Sequence, residues 1–272
     1  MTVATKRTAG RVPFRARARL IHLLGEELIS SEVMALVELV KNAYDADAHI
    51  VTVRLHIAPD PAETLIEVID DGDGMSLDTV LHSWMEPAAS AKRGGQAKRR
   101  TVRGRLPLGE KGVGRFAADK LGGELELITR ARGEQVEVVL HVGWHAFEGD
   151  GYLEDVEISW SVRSPLEFTH DGHGTVMRVR QVRATWDEAL VVRVRDGLAR
   201  LVSPHANQQD FSIVLDCPQC PAVHGPVTNR LLTGAPHRLL GQVDGEGICH
   251  LQGTDEADAA IDLRFVDPGH FM

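Results

Sequence analysis

The sequence predicts an α+β fold, a two-layer α/β sandwich in which helices lie against one face of a mixed, mostly antiparallel sheet. Two features support this prediction. Several short runs alternate apolar and polar residues, which is the period of a strand with one buried face. Turn-like sequences join most of these runs, and amphipathic segments with helical spacing separate the others, as expected for hairpins and helices in two layers.

The first half of the chain is expected to begin with two helices. Phe14 to Leu28 forms the first, and Ser30 or Ser31 caps the second, with Glu32 favouring its first turn. The alternation from Val51 to Ile57 predicts a strand. The other elements predicted in this half are a strand at 65–69, a short helix at 76–84 and a helix at 115–121 that ends at two glycines.

The second half is predicted to consist mainly of strands, with one helix. A capping box from Thr185 to Glu188 opens that helix, and its apolar side follows Leu190, Val194 and Leu198. Predicted strands lie at 124–129, 136–142, 156–162, 175–182 and 211–215, and a further β-rich stretch lies at 239–265.

These elements divide the chain into three parts. We expect residues 1–11 to be a flexible N-terminus, 12–205 to form one compact domain, and 206–272 to supply a linker and part of a second, β-rich domain.

Composition and charge exclude several classes of protein. The 272 residues are 43% hydrophobic, enough for a sizeable core, but no apolar run reaches the roughly 18 residues that span a bilayer. Met1 to Val12 lacks the apolar centre of a signal peptide, and three cysteines cannot form a disulfide framework. We therefore expect a cytoplasmic protein with no membrane partner. The net charge of −9 argues against bulk nucleic-acid binding.

Three motifs occur in order along the predicted compact domain. They are Glu38-Leu-Val-Lys-Asn42-Ala-Tyr-Asp45-Ala on the second helix, Asp70-Asp-Gly72-Asp-Gly74 directly after a strand, and Gly109-Glu-Lys-Gly112-Val-Gly114 before a helix. At about 100° per residue, the Glu, Asn and Asp of the first motif fall within roughly 60° of one another, away from the apolar stripe. The spacings allow one domain to bring the three motifs together.

The order of these motifs resembles the GHKL ATPase superfamily, which contains gyrase B subunits, heat-shock ATPase chaperones, MutL and MORC proteins, and histidine kinases. The resemblance covers residues 12–205. It implies the Bergerat ATP-binding fold, ATP and Mg²⁺ as ligands, and a transducer-like identity for the partial domain that follows. The Glu-x-x-x-Asn-x-x-Asp-Ala arrangement is most similar to the hydrolysing branch of gyrase, MutL and MORC, because histidine kinases do not usually end this helix with Asp-Ala.

The resemblance implies roles for residues at the adenine end of the nucleotide. Asp70 would accept a hydrogen bond from the exocyclic amine, and Gly72 and Gly74 would let the backbone turn beneath the base, with Met75 in the same loop. A Gly-Thr pair at the start of a later strand is similar to a fourth element of the family, in which Thr175 would reach the adenine region.

Other residues are implied at the phosphate end. Glu38 is the candidate general base for the attacking water, Asn42 the candidate Mg²⁺ ligand, and Asp45 would hold the helix and neighbouring loops by hydrogen bonds. The third motif precedes a helix, so its backbone N–H groups can cradle phosphates. Its candidate nucleotide-binding residues are Gly109, Lys111, Gly112, Val113 and Gly114.

A basic segment lies between the second and third motifs. From Lys92 to Lys111 there are eight basic residues and a single acidic one, with glycines interleaved. Its like charges repel, and it has no apolar periodicity to offset the ordering entropy. We expect this segment to be disordered in the empty protein and to act as a lid that the triphosphate orders.

These features predict slow, Mg²⁺-dependent ATP hydrolysis that drives a conformational or dimerisation switch. The candidate partners are a second copy of the chain, bound when ATP is bound, and an unknown protein or DNA client. Three alternatives stay open: a nucleotide sensor without turnover, a protein-histidine kinase, and a nucleic-acid-binding module that uses Arg11 to Arg19 and the basic segment. For the kinase, His22 is expected to lack an acidic neighbour that could accept its proton, and to be a packing residue.

The cysteines allow two interpretations. Cys217-Pro-Gln-Cys220 offers two soft metal ligands, and Cys249-His250 offers two more, so a zinc site is one interpretation. A turn with two free thiols is the other, and it is favoured because adjacent residues seldom both reach one tetrahedral ion.

Overall fold

The structure is a computed structural model that describes residues 13–86, 100–109, 114–202, 210–229, 238–243, 248–254 and 260–266. The chain forms two compact units. The first comprises Met1–Leu201 and Asn207–Val227, and the second comprises Val202–Ala206 and Thr228–Met272. Two predicted segments lie wholly or partly outside the described residues: the N-terminus expected to be flexible, at 1–11, and residues 92–99 and 110–111 of the predicted lid.

The first unit is built on an eight-stranded sheet. In chain order its strands are β1 (Ile50–His56), β2 (Leu65–Asp70), β3 (Gly122–Arg130), β4 (Glu137–Gly143), β5 (Ser159–Arg163), β6 (Gly174–Val182), β7 (Ser212–Asp216) and β8 (Gly225–Pro226). Their spatial order is β5-β4-β3-β6-β2-β1-β7-β8. β1 and β7 run parallel, and the other neighbouring pairs run antiparallel. The predicted mixed, mostly antiparallel sheet is therefore confirmed.

Helices pack against this sheet and form the second layer. They are α1 (Leu20–Leu28), α2 (Glu32–Asp45), α3 (Leu77–Thr79, continued by a π-helical turn at Val80–Trp84), α4 (Ala117–Leu121) and α5 (Glu188–Ala199). Short 3₁₀ turns lie at Pro61–Glu63, Gly114–Phe116, Trp144–Phe147 and Leu153–Asp155. The two-layer α/β sandwich expected from the sequence is thus present.

Helix α2 lies at the centre of the helical layer. Ser31 caps it, because its side chain accepts a hydrogen bond from the backbone N–H of Met34 at 3.3 Å. Leu36 and Val40 of α2 are fully buried, and α2 contacts the helices α4 and α5 as well as β1 and β2. Gly197 of α5 allows close approach, since a Cβ there would lie 2.6 Å from a methyl group of Val33. This packing fixes the side of α2 that carries the first motif.

The N-terminal segment differs from its prediction. Helix α1 begins at Leu20 rather than at Phe14, because the preceding residues pair with a later loop. Ala18 donates its backbone N–H to Gly151, and Arg17 forms an isolated antiparallel bridge with Tyr152. The arginine-rich stretch before Leu20 is therefore paired with a distant loop instead of helical, and local helical periodicity gave no sign of this pairing.

The cap of the last helix also differs. The sequence predicted a capping box that begins at Thr185, whereas α5 begins at Glu188 with Asp187 as its N-cap. The side chain of Asp187 accepts the backbone N–H of Leu190 at 2.7 Å. Asp is as good a cap as Thr, so local sequence alone left both positions open.

Strand β7 joins the main sheet. It pairs in parallel with β1, with Val53 opposite Leu215. The predicted domain boundary at residue 205 therefore separates elements that the structure places in one sheet.

The second unit contains an antiparallel three-stranded sheet, formed by β9 (Arg238–Val243), β10 (Ile248–Thr254) and β11 (Ala260–Val266). None of the described helices has the length and apolar character needed to cross a membrane.

The face of the main sheet away from the helices carries a row of alternating charges. Across the strands the row runs through Asp216, Arg54, Glu67, Arg178 and Glu126. Arg54 Nε lies 2.7 Å from Asp216 Oδ2, and Arg178 Nε lies 2.8 Å from Glu67 Oε1. Opposite charges on neighbouring strands stabilise this face of the sheet.

Candidate functional site

The second motif forms a loop at the end of β2, beside the start of β6. Asp70 is the last residue of β2 and lies opposite Thr175 in the sheet register. Burial raises the pKa of Asp70 to about 7, although the backbone N–H groups of Gly72 and Thr175 donate to its carboxylate and oppose the shift. A buried acceptor at a strand end is suited to a ligand that brings its own hydrogen-bond donor.

The two glycines of this loop are required by close approach of other backbone segments. A Cβ at Gly72 would lie 2.7 Å from the carbonyl oxygen of Ala46. Gly74 has a φ of 64°, and a Cβ there would lie 2.0 Å from the carbonyl oxygen of Arg130. The loop thus fits between the end of α2 and the end of β3 only without side chains at these positions.

Replacing Gly74 by Ala is expected to lower the free energy of unfolding by about 3 kcal/mol, because the new Cβ would strike the Arg130 backbone. Gly133→Ala is the matched control. Gly133 also has a positive φ, 82°, but a Cβ there would meet nothing within 4 Å, so we expect a loss of only about 1 kcal/mol. Urea unfolding measures both variants, and equal losses would contradict the close fit of the loop.

Thr129 connects the residues predicted at the adenine end, and sequence reasoning missed it. It is the fully buried penultimate residue of β3. Its hydroxyl donates to the carbonyl oxygen of Gly174 and accepts the backbone N–H of Met75, both at 2.9 Å, and lies 3.2 Å from the Thr175 hydroxyl. One hydroxyl can make one donation and accept two bonds, so this set is chemically complete. The signal lay in the pairing of β3 with β6, which the sequence does not display.

The other two carboxylates of the motif hold the loop in place. Asp71 Oδ1 accepts the backbone N–H groups of His49 and Ile50, at 2.7 and 2.9 Å. Asp73 pairs with Arg132, whose Nε lies 2.9 Å from Asp73 Oδ1. These contacts tie the loop to the start of β1 and to the turn that follows β3.

The polar face of α2 carries the first motif. Asn42 is exposed, and a Cβ at Gly114 would lie 3.2 Å from its Nδ2, so the end of the third motif lies against the Asn42 amide. Glu38 is partly exposed, and Lys41 Nζ lies 2.7 Å from its Oε1. Sequence reasoning assigned no role to Lys41, although the i,i+3 spacing from Glu38 was visible.

Asp45 links α2 to the third motif. Its two carboxylate oxygens accept the backbone N–H groups of Leu108 and Gly109, at 2.6 and 2.9 Å. This is the loop-holding role expected from the sequence. Lys111, Gly112 and Val113 lie outside the described residues, so of the third motif the structure describes Gly109 and Gly114.

The described part of the basic segment is bound to the protein itself. The Arg105 guanidinium donates to the carbonyl oxygens of Tyr44, at 3.2 Å, and Ala48, at 2.8 Å, and also to that of Asp210. It lies 4.7 Å from the centre of the Tyr44 ring. The backbone N–H of Arg103 donates to Asp47 Oδ2 at 3.1 Å. Arg105 is therefore an anchor between α2 and the start of β7, and its charge is already engaged.

His22 has a partner that the sequence did not reveal. The expectation that it lacks an acidic neighbour was wrong, because the fold brings Asp119 of α4 within 2.7 Å of its Nδ1. Arg183 also lies 2.7 Å from the Asp119 carboxylate, which therefore contacts both His22 and Arg183. The histidine is part of this packed network between α1 and α4.

The N-terminal arginines also contact the protein itself. The guanidinium carbons of Arg15 and Arg17 lie 3.4 and 4.4 Å from the centre of the Tyr152 ring. Arg15 Nε also donates to Glu154 at 2.7 Å. These contacts hold the segment against the loop that contains Tyr152 and reduce the charge available to a nucleic acid.

Cys217 and Cys220 are buried free thiols in the turn between β7 and β8. Burial and the neighbouring Cys220 raise the pKa of the Cys217 thiol to about 11, so it stays protonated at neutral pH. Within the described ranges, no group of three or more His, Cys, Asp or Glu residues is arranged to hold a metal ion. The side chains of Cys249 and His250 lie outside the described part.

Two comparisons with known proteins bear on this site. A family model described as histidine kinase-, DNA gyrase B-, and HSP90-like ATPase matches residues 29–175, which include all three motifs and Thr175. A protein of Herpetosiphon aurantiacus described as the putative type II restriction enzyme HgiDII is 26% identical over 196 residues. That similarity covers 71% of this chain but 30% of the other protein, so the chain spans less than a third of this curated relative.

Proposed function

The chain belongs to the family of histidine kinase-, DNA gyrase B- and HSP90-like ATPases, and on that basis we propose that it binds ATP with Mg²⁺ and hydrolyses it slowly to drive a conformational or dimerisation switch. The family implies ATP binding. The observation that carries the proposal is the buried Asp70 carboxylate at the end of β2, with the glycine loop and Thr175 around it.

We assign the adenine to Asp70. Its carboxylate is buried and accepts only backbone N–H groups among the described residues, so it can accept a further bond from an exocyclic amine. Thr129 holds the loop at Met75 and the strand at Gly174, and thereby keeps the surroundings of Asp70 in place. Gly72, Gly74, Met75 and Thr175 complete the proposed base site.

We assign the phosphates and the metal to the space beside Asn42 and the third motif. The amide oxygen of Asn42 is a suitable ligand for Mg²⁺, and the absence of a side chain at Gly114 leaves room next to it. When bound, Mg²⁺ would offset the negative charge of the phosphates. Lys111, Gly112 and Val113 are proposed to supply backbone N–H groups and one positive charge. Gly109 is proposed to anchor this loop, because its backbone N–H already donates to Asp45.

Glu38 is the proposed general base. Lys41 binds its Oε1, and among the described residues no partner engages Oε2. We therefore assign Oε2 to the attacking water, with Lys41 limiting the rotation of the carboxylate. A base held in one orientation needs less reorganisation when the proton is transferred.

Phosphate release and titration calorimetry test the proposal on the chain as it exists. We expect ATP binding that depends on Mg²⁺, with phosphate released faster than from ATP alone. Binding without phosphate release would favour the nucleotide sensor. Acid-labile phosphate on the protein after incubation with labelled ATP would favour the histidine kinase.

A DNA-linked client is a second proposal. It is supported by the similarity to the protein described as a putative type II restriction enzyme, much of which lies beyond the matched region. Binding of duplex DNA measured over a range of salt concentrations, with and without an ATP analogue, tests this link. DNA binding that ignores the analogue would instead favour a simple nucleic-acid-binding module.

Replacing Asn42 by Ala is expected to remove the dependence of ATP affinity on Mg²⁺, because the proposed protein ligand of the metal is lost. The free energy of unfolding should change by less than about 1 kcal/mol, since Asn42 is exposed. Calorimetric titration of ATP with Mg²⁺ and with chelator measures the effect. Wild-type binding that is already indifferent to chelator would contradict the assignment.

A further inference from the structure

The two edges of the main sheet differ in how well they are protected. One edge is β8, which has two residues and ends in Pro226, a residue without a backbone N–H. The other edge is β5, a five-residue strand with the sequence Ser-Trp-Ser-Val-Arg. It contains neither proline nor lysine, the residues that commonly block edge pairing. Among the described strands only β4 pairs with it, so one side of its backbone lacks a strand partner.

Strand β5 also exposes large apolar side chains. Trp160 and Val162 are 46% and 41% exposed. They lie opposite Leu140 and Val138 of β4, which are buried, so they continue the apolar face of the sheet to its edge. An edge with both an open backbone and exposed apolar side chains is suited to adding a further strand.

The sequence of β5 is complementary to itself in an antiparallel arrangement. With Ser161 opposite Ser161 of a second copy, Trp160 lies opposite Val162 and Ser159 lies opposite Arg163. Glu157, which is exposed and lies two residues before the strand, is then the diagonal neighbour of Arg163 from the other copy. The two-fold axis passes through the Ser161 pair, which occurs once. The Trp160–Val162, Ser159–Arg163 and Glu157–Arg163 contacts each occur twice.

Arg163 can contact Glu157 of the other copy in addition to Glu137 of its own. Within the described residues it uses Nε alone, which donates to Glu137 at 3.1 Å. The terminal nitrogens of its guanidinium remain as donors for a carboxylate. In this register, Glu157 of one copy and Arg163 of the other therefore attract each other.

We propose that β5 is a self-association edge, at which two copies of this chain join antiparallel about Ser161 to form one continuous sheet. The apolar pair, the serine pair and the two Glu157–Arg163 contacts select a second copy over an unrelated strand. Interfaces as small as one short strand pair fall below about 1,200 Å² and are weak, so the dimer should form only at high protein concentration. Strands β4, β3 and β6 separate β5 from Asp70, so this association does not require ATP.

Cysteine cross-linking tests the register. In Ser161→Cys the two introduced thiols would face each other with Cβ atoms about 5 Å apart, close enough for a disulfide after a small adjustment. In the matched control Ser159→Cys the two thiols would lie four residues apart along the strands, roughly 13 Å, which is too far. Both serines are exposed, so both variants should fold as the wild type does.

The variants are made in a Cys249→Ser background, and oxidised glutathione at high protein concentration accepts the two electrons of each disulfide formed. We expect Ser161→Cys to yield at least about tenfold more covalent dimer than Ser159→Cys, with and without ATP. Light scattering of Ser161→Arg should show monomer where the wild type shows dimer, because two arginines would face each other. Equal cross-linking of the two variants, cross-linking of neither, or a wild type that stays monomeric at every concentration would overturn the proposal.

Discussion

Replacing Asp70 by Asn is expected to lower the affinity for ATP about 100-fold. The Asn side chain keeps an oxygen for the N–H of Gly72, but it presents an NH₂ group where the second carboxylate oxygen was. The NH₂ group of Asn and the exocyclic amine of adenine, both donors, would then face each other in a buried site. An unsatisfied buried polar group costs about 1–3 kcal/mol. Because the base is bound in both the ground state and the transition state, the loss should appear in binding.

The same substitution should stabilise the empty protein above neutral pH. In the folded protein burial raises the pKa of Asp70 to about 7, whereas an unfolded chain gives about 3.9. The folded state therefore holds a proton that the unfolded state releases between about pH 4 and 7, and the contribution of Asp70 to stability falls over that range. Above it, the neutral Asn avoids a cost of about 4 kcal/mol for the buried charge. The net rise in the free energy of unfolding should be smaller, because Asn has one acceptor oxygen in place of two for the N–H groups of Gly72 and Thr175.

Titration calorimetry and urea unfolding at pH 5 and pH 8 measure the two effects. Asp73→Asn is the matched control, because it makes the same change in the same loop at an exposed residue that pairs with Arg132. That variant should keep ATP affinity within about threefold, since exposed ion pairs contribute about 0–1 kcal/mol. If Asp73→Asn and Asp70→Asn weakened binding equally, the assignment of the base to Asp70 would fail.

Replacing Glu38 by Gln is expected to lower kcat about 100-fold or more, because the amide cannot accept the proton of the attacking water. The affinity for ATP should change by less than about threefold, since Glu38 is assigned to the water and not to the nucleotide. Gln retains an oxygen for Lys41, so the contact at Oε1 can persist and the fold of α2 is preserved. Phosphate release in the steady state and calorimetric binding separate the two quantities.

Glu32→Gln controls for loss of one negative charge from the same helix. Glu32 lies in the first turn of α2, away from the proposed water, so kcat should be unchanged within about twofold. A Glu38→Gln variant that hydrolyses ATP at the wild-type rate would refute the role of Glu38. Comparison with Asp70→Asn then divides the site into a residue that controls affinity and a residue that controls rate.

The local features of the fold were predictable because their signals lie within a few residues of one another. The alternation from Val51 to Ile57 reports the buried face of β1, and Ser31 caps α2 through the N–H of Met34. The loop after β2 is equally local, since Gly72 and Gly74 follow Asp70 directly. The contact between Lys41 and Glu38 was also accessible, because both lie on the same turn of α2.

Contacts between distant segments could not be predicted in this way. Thr129 lies at the proposed base site only because β6 pairs with β3, and Asp119 meets His22 only because α1 packs near α4. The anchoring of Arg105 on Tyr44 has the same origin, as does the addition of β7 to β1. A single sequence records which residues are apolar, charged or suited to a turn. It does not record which buried strand pairs with which, because that choice is made by the packing of the whole domain.

By itself, the sequence determined the class of fold, the order of the three motifs and the chemistry that each can offer. The tertiary structure decided which side chains share a site and which charges are already engaged. In the tertiary structure Thr129 and Thr175 lie beside the loop that follows Asp70. The guanidinium of Arg105 donates to the carbonyl oxygen of Ala48, so its charge lies against the protein itself. The physical reason is that periodicity reflects local burial, whereas hydrogen bonds and ion pairs depend on three-dimensional proximity.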